Sequence, residues 1–258
     1  VTSAFAGELT ASGSASMGIA NITGTADDGA GKNFSMADSV ILSGSTELDN
    51  GLTVSMSFEL DGDNEDTDGT SSYDSNSMTI SSDALGTLVF HAHGGSSAQS
   101  AMDTTAAGDL WNNTIGVNGT VGPTSSAGNN SLFYTLPAMM DGVAITTSLT
   151  PGGANVANAS THMAYGVSYT GVEGLTVKYG TGDSGAQTAE VDSTSMSASY
   201  AIGSLTLSVS STDVDYSVAS TDEVWTSYQV AYTVTEDISL TYGSETIDTE
   251  TKAVDEEV

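Results

Sequence analysis

The chain has 258 residues, 38% of them hydrophobic, and its 33 acidic residues face only three lysines and no arginine. This balance excludes nucleic-acid binding, because neutralising phosphates requires Lys or Arg. The absence of cysteine excludes disulfides and thiolate chemistry. The sequence contains no run of about 18 apolar residues, so a membrane helix is not expected.

The first residues are interpreted as the remnant of an export signal. Ala4-Phe5-Ala6 before Gly7 has the small-residue spacing of a signal-peptidase site. We therefore divide the chain into a signal remnant at 1–6 and a single β-rich domain at 7–258.

Alternation with a period of two residues predicts fourteen β-strands along that domain. They cover residues 8–20, 35–48, 52–60, 74–82, 87–93, 114–121, 131–136, 143–149, 163–169, 175–180, 193–201, 205–211, 224–234 and 238–247. The segment 114–121 has the weakest pattern. Without it, thirteen strands remain, and tight and long connections alternate along the whole chain.

The connections predict an up-and-down arrangement. Tight turns are expected at Asp49-Asn50-Gly51, at 83–86 and at 201–204, and long acidic connections at 61–72 and 213–223. Short turns at one rim and long loops at the other are typical of transmembrane β-barrels.

The strands have one apolar and one polar face. In the third strand Leu52, Val54, Met56, Phe58 and Leu60 alternate with hydroxyl-bearing or acidic residues. A soluble β-sandwich would show the same alternation. Long strands, a hydroxyl-rich polar face and aromatic residues near strand ends favour a transmembrane barrel. Those aromatic residues are Phe58, Tyr200, Tyr228, Tyr232 and Tyr242.

Three segments resemble the general porins of the Gram-negative outer membrane, most of all the sixteen-stranded alphaproteobacterial type. They are Gly7 to Ala15, the hairpin from Leu42 to Val54, and Leu85 to Phe90 followed by Gly108-Asp109-Leu110-Trp111. The resemblance implies an all-β, antiparallel up-and-down transmembrane barrel in contact with outer-membrane lipid. It also implies a homotrimer, and passive diffusion of small hydrophilic solutes and ions without enzymatic chemistry.

In that family the connection after the fifth strand folds into the barrel and narrows the pore. The equivalent connection here starts at Gly94, so the resemblance implies that Asp103 and Asp109 line the constriction. His91 and His93, two residues apart on the fifth strand, are expected to share the lumen face and to belong to the same constriction. Lys178 is expected to point into the lumen, because its neighbours take the apolar face. The family's arginine and lysine cluster has no counterpart here, so a cation-selective pore is expected.

Porins of this family end in a strand with a terminal aromatic residue. Here the last residues, Asp255-Glu256-Glu257-Val258, fall in an expected extracellular loop. Thirteen of sixteen strands are therefore expected, with the C-terminal strands missing.

Two metal hypotheses arise from the sequence, although the predicted function requires no cofactor. Asp61, Asp63 and Glu65 offer alternate oxygen ligands for calcium, but Asp66 stands where an EF-hand needs glycine, so a solvated acidic loop is favoured. His91 and His93, with Asp103, could begin a zinc or copper site, and polar lining is the favoured interpretation.

A second functional class stays open. A secreted, acidic, calcium-binding surface-layer or adhesin module would also be β-rich and strongly negative. No nucleophile elbow of the G-x-S-x-G type is present, and His162 has no evident catalytic partner. An enzyme is therefore not predicted.

Overall fold

The protein is a single antiparallel sheet of thirteen strands, arranged in sequence order from β1 to β13. The computed structural model describes residues 9–22, 31–61, 75–100, 102, 129–152, 160–186, 189–217, 221–236 and 238–251. The strands are β1 Thr10–Ile22, β2 Gly31–Glu47, β3 Thr53–Asp61, β4 Ser75–Ser82, β5 Gly86–His93, β6 Ser131–Thr135, β7 Val143–Thr150, β8 His162–Tyr169, β9 Leu175–Ala186, β10 Ala189–Ile202, β11 Leu205–Tyr216, β12 Thr221–Thr235 and β13 Ile238–Thr251. Across these ranges, no helix is long and apolar enough to span a bilayer.

The predicted all-β, up-and-down fold is confirmed, with a strand at thirteen of the fourteen predicted segments. The fourteenth segment, 114–121, and the signal remnant at 1–6 lie outside the described residues. The predicted long connection at 213–223 is wrong, because β11 continues to Tyr216 and β12 already begins at Thr221. Period two did not predict these extensions, because the start of β12 is polar on both faces and the end of β11 reverses its alternation, with Val214 and Tyr216 on the face that is polar in the rest of the strand.

The predicted tight turns depend on glycine conformation. Gly51 and Gly86 have φ of 80° and 77°, a region that costs other residues steric strain. In the first turn the Gly51 amide donates to the Leu48 carbonyl oxygen at 2.9 Å. These turns set the register of the hairpins β2–β3 and β4–β5.

One register row crosses twelve of the strands and identifies the two faces of the sheet. From β2 to β13 it runs Glu47, Thr53, Ser81, Thr87, Thr135, Thr146, Gly166, Gly180, Ser195, Thr212, Trp225 and Ile247. We name the face of this row the inner face, and the opposite one the outer face. The row begins at the last residue of β2 and ends near the top of β13, so the strands are tilted, as in barrels.

The outer face is apolar and exposed. Met56, Val230 and Leu240 are 47%, 39% and 65% exposed, the reverse of what a dry two-layer core would require. Among the described residues the only buried hydrophobic side chains are Ala98, Met102, Ala164 and Val214. The sheet is therefore a single-layer wall, and the β-sandwich expected of an adhesin module is not seen in this part of the chain.

Candidate functional site

The chain leaving β5 folds onto the inner face. Residues 97–100 and 102, here the docked segment, include Ser97, Ala98 and Gln99 at no more than 1% exposure and Met102 at 7%. The segment turns tightly, because the Met102 amide donates to the Gln99 carbonyl oxygen at 2.9 Å. A connection between sheet strands would ordinarily stay in water, so this burial marks a specific contact.

Hydrogen bonds fix the docked segment across several strands. The Ala98 amide donates to Ser148 Oγ of β7 at 2.9 Å, and Gln99 Nε2 donates to Ser195 Oγ of β10 at 2.6 Å. Ser195 Oγ also lies 3.1 Å from Thr212 Oγ1 of β11. The segment that follows β5 is thus tied to the wall formed by β7 to β11.

Two glycines let the backbone of the docked segment lie directly on the sheet. Gly166 of β8 and Gly180 of β9 are cross-strand partners. A Cβ on Gly166 would come within 2.6 Å of the Ala98 carbonyl oxygen, and one on Gly180 within 2.9 Å of Gln99 Cα. These distances are shorter than ordinary van der Waals contacts, so any larger residue would force the segment away.

Lys178 lies beside this contact. It is two residues from Gly180 on β9, and therefore on the same inner face, with Ser168 and Ser197 directly opposite on the neighbouring strands. The carboxylates expected at the constriction, Asp103 and Asp109, lie outside the described residues.

The two histidines of β5 do not follow a simple alternation. His91 lies opposite Ser77 and His93 opposite Asn76, because a register shift inserts Ala92 between them. Ser77 and Asn76 are consecutive and point to opposite faces, so the register assigns the two imidazoles to opposite faces as well. His91 shares the inner face with Ser77 and Ser131.

The calcium hypothesis finds no support in the described part of the chain. Asp61 is the last residue of β3, and Asp63 and Glu65 lie outside the described residues. Within the described ranges, no group of three or more His, Cys, Asp or Glu could hold a metal ion.

Carboxylates dominate the described charges of the inner face. Glu59 accepts hydrogen bonds from Ser39 Oγ at 2.9 Å and Ser75 Oγ at 3.1 Å. Glu223 accepts one from Trp225 Nε1 at 3.1 Å. By register, Glu47 and Glu245 share that face. The described part of the inner face therefore carries four glutamates and one lysine, Lys178.

The resemblance predicted that the connection starting at Gly94 folds into the barrel, but sequence reasoning missed where its docked segment contacts the wall. The available signal was the pair Gly166 and Gly180, two glycines inside strands on a face that also carries His162, Ala164 and Lys178. A glycine inside a strand marks a close approach of another backbone.

Comparison with known proteins supplies the family context. The sequence model of the family described as Gram-negative porin matches residues 1–258, and no curated protein matches the chain. A loop-deletion mutant of OmpT, an outer membrane protein of Vibrio cholerae, is 15% identical, with 94% of this chain and 82% of that one covered and a TM-score of 0.61. An anion-selective porin from Comamonas acidovorans is 14% identical, with 91% and 78% covered and a TM-score of 0.56. A mutant of the Rh. blastica porin is 15% identical, with 94% and 98% covered and a TM-score of 0.51. At these identities the structural likeness shows a shared fold.

Proposed function

Because the chain belongs to the Gram-negative porin family, whose members are outer-membrane channels and not enzymes, we propose that it is a cation-preferring diffusion pore. Small hydrophilic solutes and ions cross the outer membrane through it, down their gradients. No chemical step and no cofactor are part of this proposal.

The observation that carries the cation preference is the charge of the inner face. Four glutamates are described there, Glu47, Glu59, Glu223 and Glu245, against Lys178 alone. The fold does not decide selectivity, since an anion-selective porin has a similar structure. A negative, water-filled wall raises the local concentration of cations and lowers that of anions.

The docked segment supports the proposed constriction. Met102 is buried against Gly166 and Gly180. This contact fixes the position of the residue that directly precedes Asp103. We propose that Asp103 and Asp109 act from there as the carboxylates of the narrowest part of the pore.

A homotrimer is part of the proposal, and the outer face supports self-association. Exposed tyrosines occur on the outer face of β8 to β13, namely Tyr165, Tyr179, Tyr200, Tyr228, Tyr232 and Tyr242. The strands β1 to β5 contain no tyrosine or tryptophan and expose Met17, Met56 and Met78 instead. Tyrosine and tryptophan anchor lipid-facing surfaces at the membrane interface, so we propose that the face of β1 to β5 contacts other copies of the chain.

The decisive experiment is the reversal potential of the reconstituted protein in a planar bilayer under a KCl gradient. The proposal expects a sign that reports K⁺ preference, decreasing at high salt because mobile ions screen the wall charges. Glu59→Gln should reduce the preference, whereas Asp213→Asn on the outer face of β11 should leave it unchanged. A wild-type reversal potential that reports Cl⁻ preference would refute the proposed selectivity.

A further inference from the structure

A groove of hydroxyl groups lies on the inner face of the first four strands, away from the docked segment. Its volume is about 480 Å³, and seven of its nine lining residues are Ser or Thr. Six of them form cross-strand sets on β2, β3 and β4, namely Ser43, Ser45, Ser55, Ser57, Ser77 and Thr79. Pockets of about 300–1,000 Å³ are the usual size for small-molecule sites.

The hydroxyls of this groove are available to a solute. Within the described part of the chain, none of the six side chains takes part in a hydrogen bond, and all remain at least partly exposed. Under the docked segment the situation is the opposite, because Ser148 and Ser195 are buried and bonded to it. The same residue types therefore serve two different purposes on the two parts of the inner wall.

The chemistry of the groove selects a class of solute. A hydroxyl both donates and accepts hydrogen bonds, so a set of them complements a molecule that itself carries many hydroxyls. None of the nine lining residues is charged. The nearest inner-face carboxylates, Glu47 and Glu59, lie two residues beyond the groove on β2 and β3, and Glu59 already accepts bonds from Ser39 and Ser75. The groove residues themselves offer an ion no counter-charge, whereas they offer a neutral polyol several hydrogen bonds.

We infer that the groove on β1 to β4 is a transient binding site for neutral, polyhydroxylated solutes such as small saccharides. This inference rests on the proposed function, since it describes one stage of passage through the pore. Binding is weak and reversible, because each bond replaces one to water, and weak binding lets a solute leave as readily as it enters.

The test uses single-channel recordings in a planar bilayer, with sucrose as the probe. Sucrose should interrupt the KCl current of the wild-type channel in a saturable way, and the dissociation constant follows from the concentration dependence. Each lost hydrogen bond lowers affinity by about two- to tenfold, so the double variant Ser57→Ala, Ser77→Ala should weaken sucrose binding by about fourfold or more.

A matched control removes the same chemistry elsewhere. Ser199 and Ser208 are cross-strand partners on the inner face of β10 and β11 and lie outside the groove. Their double alanine variant should bind sucrose as the wild type does, and a normal KCl conductance shows that either variant is folded. Equal weakening in both variants overturns the inference.

Two failures are distinguishable. A wild-type channel that conducts KCl but shows no saturable sucrose effect overturns the groove inference and leaves the proposed pore intact. A reconstituted full-length protein that forms no conducting channel overturns the proposed function, and this inference with it.

Discussion

At the scale of single residues, Gln99 fixes where the docked segment sits. Its side chain is fully buried, and its amide donates to Ser195 Oγ. Leaving such a buried group without a partner costs about 1–3 kcal/mol. The segment is therefore stable in the one position that pairs the amide, and the residues that follow it start from that position.

Lys178 is the residue whose charge opposes the rest of the described inner wall. Lys178→Gln should raise the K⁺ preference by about twofold, which is the Coulomb effect of one charge across roughly 10 Å of water. The reversal potential in a KCl gradient measures this change. An unchanged or more anion-preferring channel would show that Lys178 does not face the conduction path.

The face on which Lys178 lies can be predicted from the sequence, and the contact made by Gln99 cannot. The face of Lys178 follows from the alternation with Val177 and Tyr179, which are 39% and 44% exposed on the outer face. The bond between Gln99 and Ser195 joins residues 96 positions apart. No local pattern identifies that serine among the many serines of the chain, because only the register of β7 to β11 brings it to the segment.

At the scale of elements, β8 and β9 form a flat contact surface for the docked segment, here the glycine platform, because two of their inner-face residues lack side chains. Gly166 and Gly180 face each other on adjacent strands, and the Cβ positions of both are occupied by the docked segment. Glycine inside a strand ordinarily weakens it. Here the close approach of a second backbone is the physical reason for both glycines.

Gly180→Ala should destabilise the protein by about 1–3 kcal/mol, the usual effect of overpacking a close contact. It should also make the open-channel current noisier, because the docked segment is displaced. Gly44→Ala is the matched control, since Gly44 lies within β2 and nothing lies within 4 Å of its added Cβ. Denaturant unfolding and single-channel noise measure both effects, and equal behaviour of the two variants would contradict the platform.

The strand ends show where prediction from sequence stopped. The apolar alternation of β9 ends near Tyr179, and the strand nevertheless continues to Ala186. β10 begins at Ala189, before its apolar pattern does. Antiparallel pairing satisfies the backbone of these polar extensions, so the sheet extends beyond its apolar belt without any periodic signal in the side chains.

At the scale of the whole molecule, the two faces of the sheet have different surroundings. The exposed apolar residues of the outer face contact lipid, and the hydroxyl-rich inner face contacts water. Val209 on β11 is 56% exposed on the outer face, and the preceding residue, Ser208, lies on the inner face beside Ser199. Val209 therefore contacts lipid, whereas its neighbour Ser208 contacts water.

Val209→Lys should destabilise the inserted protein by up to about 2–4 kcal/mol, the cost of a lysine facing lipid near the bilayer midplane. Ser208→Lys, one residue away, should leave stability nearly unchanged and reduce the K⁺ preference instead. Reversible unfolding from lipid vesicles, together with reversal potentials, separates the two outcomes. Greater destabilisation by Ser208→Lys would invert the assignment of the faces.

A single-layer wall also has a consequence for evolutionary divergence. With no packed interior to complement, most positions must satisfy only the medium on their own side, and the backbone pairing accepts any residue compatible with a strand. Substitutions that preserve that polarity can accumulate independently of one another. An architecture of this kind can be kept with few identical residues, as the 14% identity at a TM-score of 0.56 illustrates. The glycine platform is the exception, where a change on one partner demands a change on the other.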